Sequence, residues 1–456
     1  MFFGTLGVSC FATAAPHVVV ISMDTTRASA LSCYELPTGI RRSIPQVTPN
    51  LDGLAANGTR FAHFYTHAPT TLNSHTTMFT GLDPHEHGVP SNGYPYTQPN
   101  STFAERLKME GYQTVAVVGA SALEKAMGLD RGFDVYDDRL SQQHRKSYQD
   151  DASGVVQRVF QQLDGRQSDT PLFLFVHFYD PHGPLTPPLA YRQAFVAGGA
   201  FTPLATQPWS RGAYMRRVQS GNATVADHEL GTALYLAEVA YMDAQIGQLL
   251  KGLEARGFLN EALVVATADH GQNLAEHGRN AFSHGFDVHS SVMHVPLIIR
   301  GFGLSVPQGR VVQRTFGMSG LAPTMEALLG LPVRLGQARS FASALGPGPV
   351  WDQDGWPSRP TVPVFMEATR PYMEESETWN NLQTARGVRI GGLKASVQPS
   401  SPAAALSEHQ PPWWGLLTDM VQQWDLMAPN FREKQFAEDT QKALEALGYI
   451  EPSSSD

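Results

Sequence analysis

The sequence is short of the features that define several protein classes. Its 456 residues contain two cysteines, Cys10 and Cys33. That number cannot build a disulfide framework, and no C-x-x-C or Cys/His spacing points to a structural zinc site. No stretch reaches the ~20 continuous apolar residues of a transmembrane helix, so no membrane span is expected. No lysine/arginine run stands out and the net charge is -9, which disfavours a long basic groove for nucleic acid. Charged residues make up 16% of the chain against 42% hydrophobic, an ordinary globular mix able to bury a large core. The acidic total leaves room for binding a small anion, which needs only a local positive site.

Residues Met1–Ala15 are apolar and small and end Ala12-Thr13-Ala14-Ala15. They have the apolar and cleavage regions of a secretory signal without its positive leading region. An extracytoplasmic location, periplasmic or secreted, is the expectation, and a cytoplasmic one is the alternative.

What is present is an alternation of strand and helix patterns. His17–Ser22 (HVVVIS) reads as a buried parallel strand leading to Asp24. Thr48-Pro49 opens a helix with an N-cap and a first-position proline, and Asn57-Gly58 closes it. Thr102 and Glu105 form a capping-box pattern. Further strands are expected at Tyr112–Val118, Pro171–Phe178, Ala262–Thr267 and Pro296–Arg300, and helices over Asp150–Leu163 and Tyr235–Leu253. The alternation predicts an α/β fold with one large, mostly parallel sheet sandwiched by helices. Residues 186–225, rich in Pro, Gly, Ala and Thr, read as a long surface insertion. Beyond Pro332 the Gly/Pro content rises again. Val362–Glu367, Ala385–Ile390 and Lys394–Gln398 then predict a small antiparallel sheet, with a loop at Pro399–Ala405. The division is a signal-like segment at 1–15, a catalytic α/β domain at 16–335 and a C-terminal subdomain at 336–456.

Four segments concentrate the chemistry: Ser22–Arg27, Ala68–Gly81, His177–Pro184, and Thr267–Gln272 with Glu276–Gly278 and Ser283–Gly285. Three of them follow strand ends, where open α/β sheets bind ligands. Asp24 and the Asp269-His270 pair are natural oxygen and nitrogen donors for Mn²⁺, Zn²⁺, Mg²⁺ or Ca²⁺. The alternative is an exposed turn, where Asp and His are common. Thr71 precedes a helix expected at Ser74–Thr80. A metal contact and a helix N-terminus both make a hydroxyl more nucleophilic, although Thr70, Thr71 and Ser74 also suit plain helix capping.

Taken in order, these segments resemble the sulfatase family of the alkaline-phosphatase superfamily. There an acidic metal site follows the first strand, often as D-T-x-R, matched by Asp24-Thr25-Thr26-Arg27. The nucleophile heads a Cys/Ser/Thr-x-Pro-Ser-Arg/His segment, matched by Thr71-Leu72-Asn73-Ser74-His75 with Thr80-Gly81 beyond it. Thr48–Asp52, Pro84–Val89, Asp180–Pro184, Asp269–Gly271, Val295–Ile298, Ala322–Thr324 and Ala446–Tyr449 match as well.

The resemblance implies an alkaline-phosphatase-like fold and a role for each matching residue. Asp24, Asp269 and His270 bind the metal, with Thr71 as a nucleophile that also touches it. His182 and His284 contact the transferred group or protonate the leaving oxygen. His75 stands where an arginine usually supports the nucleophile, and Thr25 where many members have a second metal-binding aspartate. A second ion at Asp180, His182 and His284 is the two-metal alternative.

Sulfatases of this family convert a cysteine or serine nucleophile to formylglycine, and Thr71 cannot be converted. It forms a plain ester, the chemistry of relatives that act on phosphorus. The expectation is therefore a metal-dependent hydrolase of phosphomonoesters, phosphodiesters or phosphonate esters. Its substrate is a small-molecule, glycan or lipid ester. A sulfate-ester hydrolase without formylglycine is one alternative, and a phospho-alcohol transferase another.

Overall fold

The computed structural model describes residues 15–34, 46–140, 149–196, 209–336, 339–346, 363–369, 383–397 and 412–425. Most of the signal-like segment, the Pro399–Ala405 loop and the Ala446–Tyr449 motif lie outside these residues.

In chain order the elements are β1 (His17–Met23), α1 (Pro49–Ala56), β2 (Thr59–Tyr65), α2 (Thr71–Thr80), α3 (Pro84–His87), α4 (Phe103–Met109), β3 (Gln113–Val118), β4 (Val135–Asp137), α5 (Ala152–Leu163) and β5 (Leu172–Phe178). They continue with α6 (Leu189–Val196), α7 (Arg211–Gln219), α8 (Val225–Ala255), β6 (Ala262–Thr267), α9 (Ser290–Met293), β7 (His294–Val295), β8 (Leu297–Phe302), β9 (Arg310–Gly317) and α10 (Leu321–Leu328). Last come β10 (Val364–Thr369), β11 (Gln383–Ile390), β12 (Leu393–Val397) and α11 (Pro412–Asp425).

Among the described residues the main sheet runs β4-β3-β5-β1-β6-β8-β2, with β7 and β9 also paired to β2. Strands β1, β5 and β6 are adjacent and parallel. Every residue in them is buried, which is why they read as unbroken apolar runs rather than alternating ones. Helices α2 and α4 lie on the face of β5 that carries Phe173 and Phe175. Helices α1 and α5 each pack on α8 as a second group.

The strand expected at Pro296–Arg300 forms as β8, but it runs antiparallel to β6. The cause is the connection. After β6 the chain stays at the C-terminal end of the sheet from Ala268 to Met293, and so re-enters in the opposite direction. A parallel return would have needed a crossover to the other end. Strand β2 was not anticipated. Its TRFAHFY sequence is rich in β-favouring residues, but Thr59, Phe61, Phe64 and Tyr65 are buried while His63 is exposed, so no clean period marks it. The region 186–225 is more than a surface insertion. It contains α6 and α7, and Trp209 and Tyr214 are buried against Phe282. The capping box at Thr102–Glu105 forms as expected, with the Thr102 hydroxyl accepting from Glu105 N at 3.2 Å.

The Thr48–Asp52 segment is a clamp. Thr48 Oγ1 accepts from Ser32 N at 2.8 Å, and Asp52 Oδ1 accepts from Cys33 N at 2.9 Å. Together they fix the chain shortly after Asp24. From α8, buried Asp243 accepts the N–H groups of Asn50 and Leu51 at 3.0 and 2.9 Å, and the Asn50 amide at 2.9 Å. A carboxylate is well placed here because the first N–H groups of α1 have no partner within the helix.

The small C-terminal sheet, β10-β11-β12, is antiparallel. Val364, Met366, Ala368 and Ala385 bury against Tyr65, Val288, Val292 and Met293. Helix α11 covers Val388 and Ala395 with Leu417 and Val421.

Replacing Asp243 by alanine leaves two buried N–H groups and an amide without their acceptor. The expected loss is about 2–4 kcal/mol of stability. The urea midpoint should drop at constant slope, with divalent-cation affinity nearly unchanged. An unmoved midpoint would show that this clamp does not hold α1 in place.

Candidate metal centre and nucleophile

Strands β5, β1 and β6 end side by side, and each delivers chemistry at its C-terminal end. Asp24 follows β1 directly, its N–H donating to Phe178 O at 2.9 Å. Asp269 and His270 follow β6. Each carboxylate has one oxygen engaged by the protein. Asp24 Oδ2 accepts from His177 Nε2 at 3.2 Å and from Thr71 Oγ1 at 3.4 Å. Asp269 Oδ1 accepts from Thr25 N at 3.2 Å and His270 N at 2.7 Å. The His270 Nδ1–H donates to the Gly271 carbonyl at 3.0 Å, so the lone pair of the neutral ring sits on Nε2.

The three remaining atoms, Asp24 Oδ1, Asp269 Oδ2 and His270 Nε2, are buried and without a hydrogen-bond partner. They lie within 4.8 Å of one another. His270 Nε2 is 3.4 Å from Asp269 Oδ2 and 3.9 Å from Asp24 Oδ1. Three electron-rich atoms turned toward one point repel unless a cation stands between them, so this donor set fits a divalent metal ion. Burial raises the pKa of Asp24 above the usual carboxylate range. Burial, and after it the neighbouring Asp24 charge, raises that of Asp269.

Thr71 is the first residue of α2, with Thr70 at the N-cap, so the helix starts three residues before the expected Ser74. Two threonines and a serine at this end obscure the start in the sequence, because all three suit a cap. Ser74 instead faces inward, its Oγ donating to the Asp269 carbonyl at 2.6 Å.

His75, one turn on, has both ring nitrogens engaged. Its Nδ1–H donates to the Thr71 carbonyl at 2.7 Å, and Nε2 accepts from Ser22 Oγ at 2.8 Å. Burial lowers its pKa to about 3, so the ring is neutral. His75 therefore holds the backbone of Thr71. A second group of buried ligand-type atoms, from His75, His177 and Asp269, is also close together. It does not add an ion site, because the His75 nitrogens are already used and both His177 nitrogens are engaged. Gly119 N donates to His177 Nδ1 at 3.4 Å, which directs Nε2–H at Asp24.

His177 is the residue that sequence reading quoted but left without a role. Its signal was a histidine inside an otherwise apolar strand, in register with Ser22 and hence two residues from Asp24. Burial lowers its pKa to about 4.

Asp24, Thr71, Asp269 and His270 are all buried, whereas His182 and His284 are partly exposed and form a rim. The His182 ring stacks on Tyr179 at 4.4 Å, lies 5.1 Å from His284, and His284 lies 4.4 Å from His270. Each rim histidine donates from Nδ1, His182 to the Gly183 carbonyl at 2.9 Å and His284 to Gln272 Oε1 at 3.1 Å. Burial lowers the pKa of both.

The sulfatase family model matches residues 16–331, well over half of the chain. The chain belongs to the sulfatase family. A relative named as an uncharacterized sulfatase, YidJ of Escherichia coli strain K12, is 24% identical over 354 residues, spanning 69% of this chain and 67% of its own. Among solved structures, BT4656 in complex with its substrate D-glucosamine-2-N,6-O-disulfate aligns with a TM-score of 0.66 at 18% identity, covering 91% of this chain and 98% of its own. The phosphonate monoester hydrolase of Agrobacterium radiobacter aligns at 0.64 and 19%, covering 90% and 95%. The fold is thus that of the alkaline-phosphatase superfamily, and the chain is a sulfatase-family ester hydrolase.

Two residues of the loop after β1 help to hold the ligand residues in place. Thr25 supplies a backbone N–H to Asp269 at 3.2 Å. It does so at φ 48°, a left-handed conformation costly for a β-branched residue, on the order of 1–3 kcal/mol. Tyr235 holds it there by donating to the Thr25 carbonyl at 2.8 Å. Arg27 binds Glu276 and donates to Gln272 O at 3.3 Å, which latches the loop after β1 to the loop after β6.

The two-metal alternative is not supported. Among the described residues Asp180, His182 and His284 do not come together as a ligand group. The Asp180 carboxyl instead hydrogen-bonds Glu238 on α8. Burial pushes Asp180 up to about 7 and Glu238 well above the usual carboxylate range.

Asp24→Ala or Asp269→Ala should abolish high-affinity Mn²⁺ or Zn²⁺ binding by this sulfatase-family hydrolase. In the wild type both carboxyls must ionise to bind the cation, and their pKa values are raised. Affinity should therefore fall as pH drops through a range above the ordinary carboxylate pKa, with protons released on binding. Calorimetry in buffers of different ionisation enthalpy reads this, and pH-independent affinity without proton release would contradict it. His177→Ala should weaken cation binding by ~10–100-fold by freeing Asp24 to turn. Unchanged affinity would remove His177 from the site.

Proposed function

We propose that the chain hydrolyses phosphorus esters (phosphomonoester, phosphodiester or phosphonate ester) through a covalent ester on Thr71. The observation that carries this reading is the Thr71 hydroxyl at the first position of α2, 3.4 Å from Asp24 Oδ2 and therefore beside the candidate cation site. A threonine in this position forms a stable ester bond and has no route to formylglycine. The fold shared with a phosphonate monoester hydrolase is consistent with it. Sulfate-ester turnover is the second reading, favoured by the sulfatase names among the relatives.

Asp24, Asp269 and His270 would hold the divalent ion, with Thr71 next to it. When bound, the ion supplies Lewis-acid polarisation of an ester oxygen and lowers the pKa of a neighbouring hydroxyl. The N-terminus of α2 favours negative charge at Thr71. His75 fixes the Thr71 carbonyl and His177 fixes Asp24, so nucleophile and ligand hold their positions without rearranging.

In the first step the Thr71 Oγ1–P bond forms as the bond from phosphorus to the leaving oxygen breaks. The proton lost by the Thr71 hydroxyl balances the one gained by the leaving alkoxide. His182 and His284, neutral at the rim, carry it. In the second step a water oxygen replaces Thr71 Oγ1 on phosphorus, and a water proton restores the threonine hydroxyl.

Both rim histidines have pKa values below the ordinary 6.5, so they remain neutral and able to accept a proton into mildly acidic solution. A bound cation shifts them in the same direction. The acid limb of kcat/KM should therefore lie below pH 6.5.

Thr71→Ala should lose on the order of 10³-fold or more in turnover while retaining cation binding. Wild-type protein incubated with a slow phosphonate ester and digested should show a phosphorus adduct on the peptide carrying Thr71. An adduct on Thr70 or Ser74 would contradict the assignment. A panel of p-nitrophenyl phosphate, bis-phosphate, phenylphosphonate and sulfate, each with several divalent metals, decides the substrate. Faster turnover of the sulfate than of every phosphorus ester would replace this reading with the second one.

A further inference from the structure

The first N–H groups of an α-helix point out of its end and have no partner within the helix. At the start of α2 one of them is taken by a side chain from another loop. Leu72 N, adjacent to Thr71 in the chain, donates to Asn92 Oδ1 at 2.7 Å. That bond settles the orientation of the planar amide, because an N–H must meet the oxygen and not the NH₂ group. The other branch, Asn92 Nδ2, carries two hydrogens, is buried and has no hydrogen-bond partner. Asn92 is 4% exposed, so bulk solvent does not satisfy it either. A buried donor left unpaired is costly, and it sits at the helix end that carries the nucleophile.

Asn92 is held there from two directions. Two residues before it, the Pro90 carbonyl accepts from Asn73 Nδ2 on α2 at 2.8 Å and from Thr369 Oγ1 on β10 at 2.8 Å. The loop is thus tied to the nucleophile's own helix and to the C-terminal sheet. On the other side of Thr71 in the chain, the buried Thr70 hydroxyl makes no capping bond and is also without a partner.

The histidines of the site leave a need for such a donor. A neutral imidazole has one N–H. His75 gives it to the Thr71 carbonyl, His177 to Asp24, His182 to the Gly183 carbonyl and His284 to Gln272. None of the four turns a neutral-ring N–H toward a group on Thr71.

We propose that Asn92 is a catalytic residue whose Nδ2 donates a hydrogen bond to a non-bridging oxygen of the group transferred to Thr71. It holds the charge that builds on that oxygen as Thr71 Oγ1 attacks, and it gives up no proton. The identity of the transferred group rests on the ester-hydrolase reading above, but the anion binding is measurable without turnover.

Two substitutions separate donation from capping. Asn92→Leu keeps the shape without charge and removes both the donor and the acceptor for Leu72 N. Asn92→Asp keeps the acceptor and removes the donor. Inorganic phosphate is titrated calorimetrically into the full-length, Mn²⁺-loaded proteins, and kcat/KM is measured with bis-p-nitrophenyl phosphate. Both variants should bind phosphate roughly tenfold or more weakly. Both should lose ~10²–10³-fold in kcat/KM. Only Asn92→Leu should lower the urea midpoint. Wild-type phosphate affinity and turnover in Asn92→Asp would overturn the proposal, since capping of Leu72 would then be the whole role. Unchanged values in Asn92→Leu would overturn it as well. If Asn92→Leu does not fold, the Asp variant alone decides. Weakened phosphate binding in both variants of a protein that turns over no phosphorus ester sinks the hydrolase reading and leaves the Asn92 site standing. Turnover through Thr71 that neither variant slows sinks the Asn92 role and leaves the hydrolase standing.

Discussion

Asp24 Oδ1, Asp269 Oδ2 and His270 Nε2 are buried within 4.8 Å of one another, and none of them has a hydrogen bond. Two carboxylate oxygens and a nitrogen lone pair held this close, away from solvent, are costly in the absence of positive charge. The rest of the site follows from this constraint. Each carboxylate uses its other oxygen to take hydrogen bonds from the protein, and these fix which atom points inward. His270 commits its Nδ1–H to a backbone carbonyl and so leaves the nitrogen that suits a metal. A cation at this point converts the repulsion into the strongest local attraction.

The surroundings hold that arrangement from several directions. Thr25 adopts a left-handed backbone to bring its N–H to Asp269, and Tyr235 secures the turn. Arg27 and Glu276 join the two ligand-bearing loops. His177 and His75, both neutral because they are buried, orient Asp24 and the Thr71 backbone. The chain stays at the C-terminal end of the sheet between β6 and β7, which places Gln272 and His284 over the site and makes β8 antiparallel. Architecture and chemistry are linked here, since a helical crossover after β6 would carry the chain away from the ligands.

Much of this was legible in the sequence. Strands β1, β5 and β6 are buried on both faces, so their apolar runs stand out, and the residues just beyond them are the metal-ligand candidates. The family motifs supplied the register of Thr71 and linked residues that local pattern cannot connect. Strand β2 lacked a clean period because it is unevenly buried. The direction of β8 depended on a long loop whose path no periodicity encodes. Trp209 and Tyr214 anchor a region whose Pro and Gly content suggested surface alone. Asp180 suggested a second ion with His182 and His284 by likeness to two-metal relatives, yet its side chain turns toward Glu238, which lies 58 positions further along the chain. His177 was in plain sight, but its role depends on its being in register with Ser22 across the sheet, two residues from Asp24, and that is a property of the fold.

The central claim is that the three unpartnered atoms form one cation site directly beside Thr71. Anomalous diffraction from crystals of the wild-type protein loaded with Mn²⁺ or Zn²⁺ tests it most directly. The account predicts a single strong peak coordinated by Asp24 Oδ1, Asp269 Oδ2 and His270 Nε2, next to Thr71 Oγ1. A peak among Asp180, His182 and His284 with the first position empty, or no ordered ion at saturating metal, would contradict it.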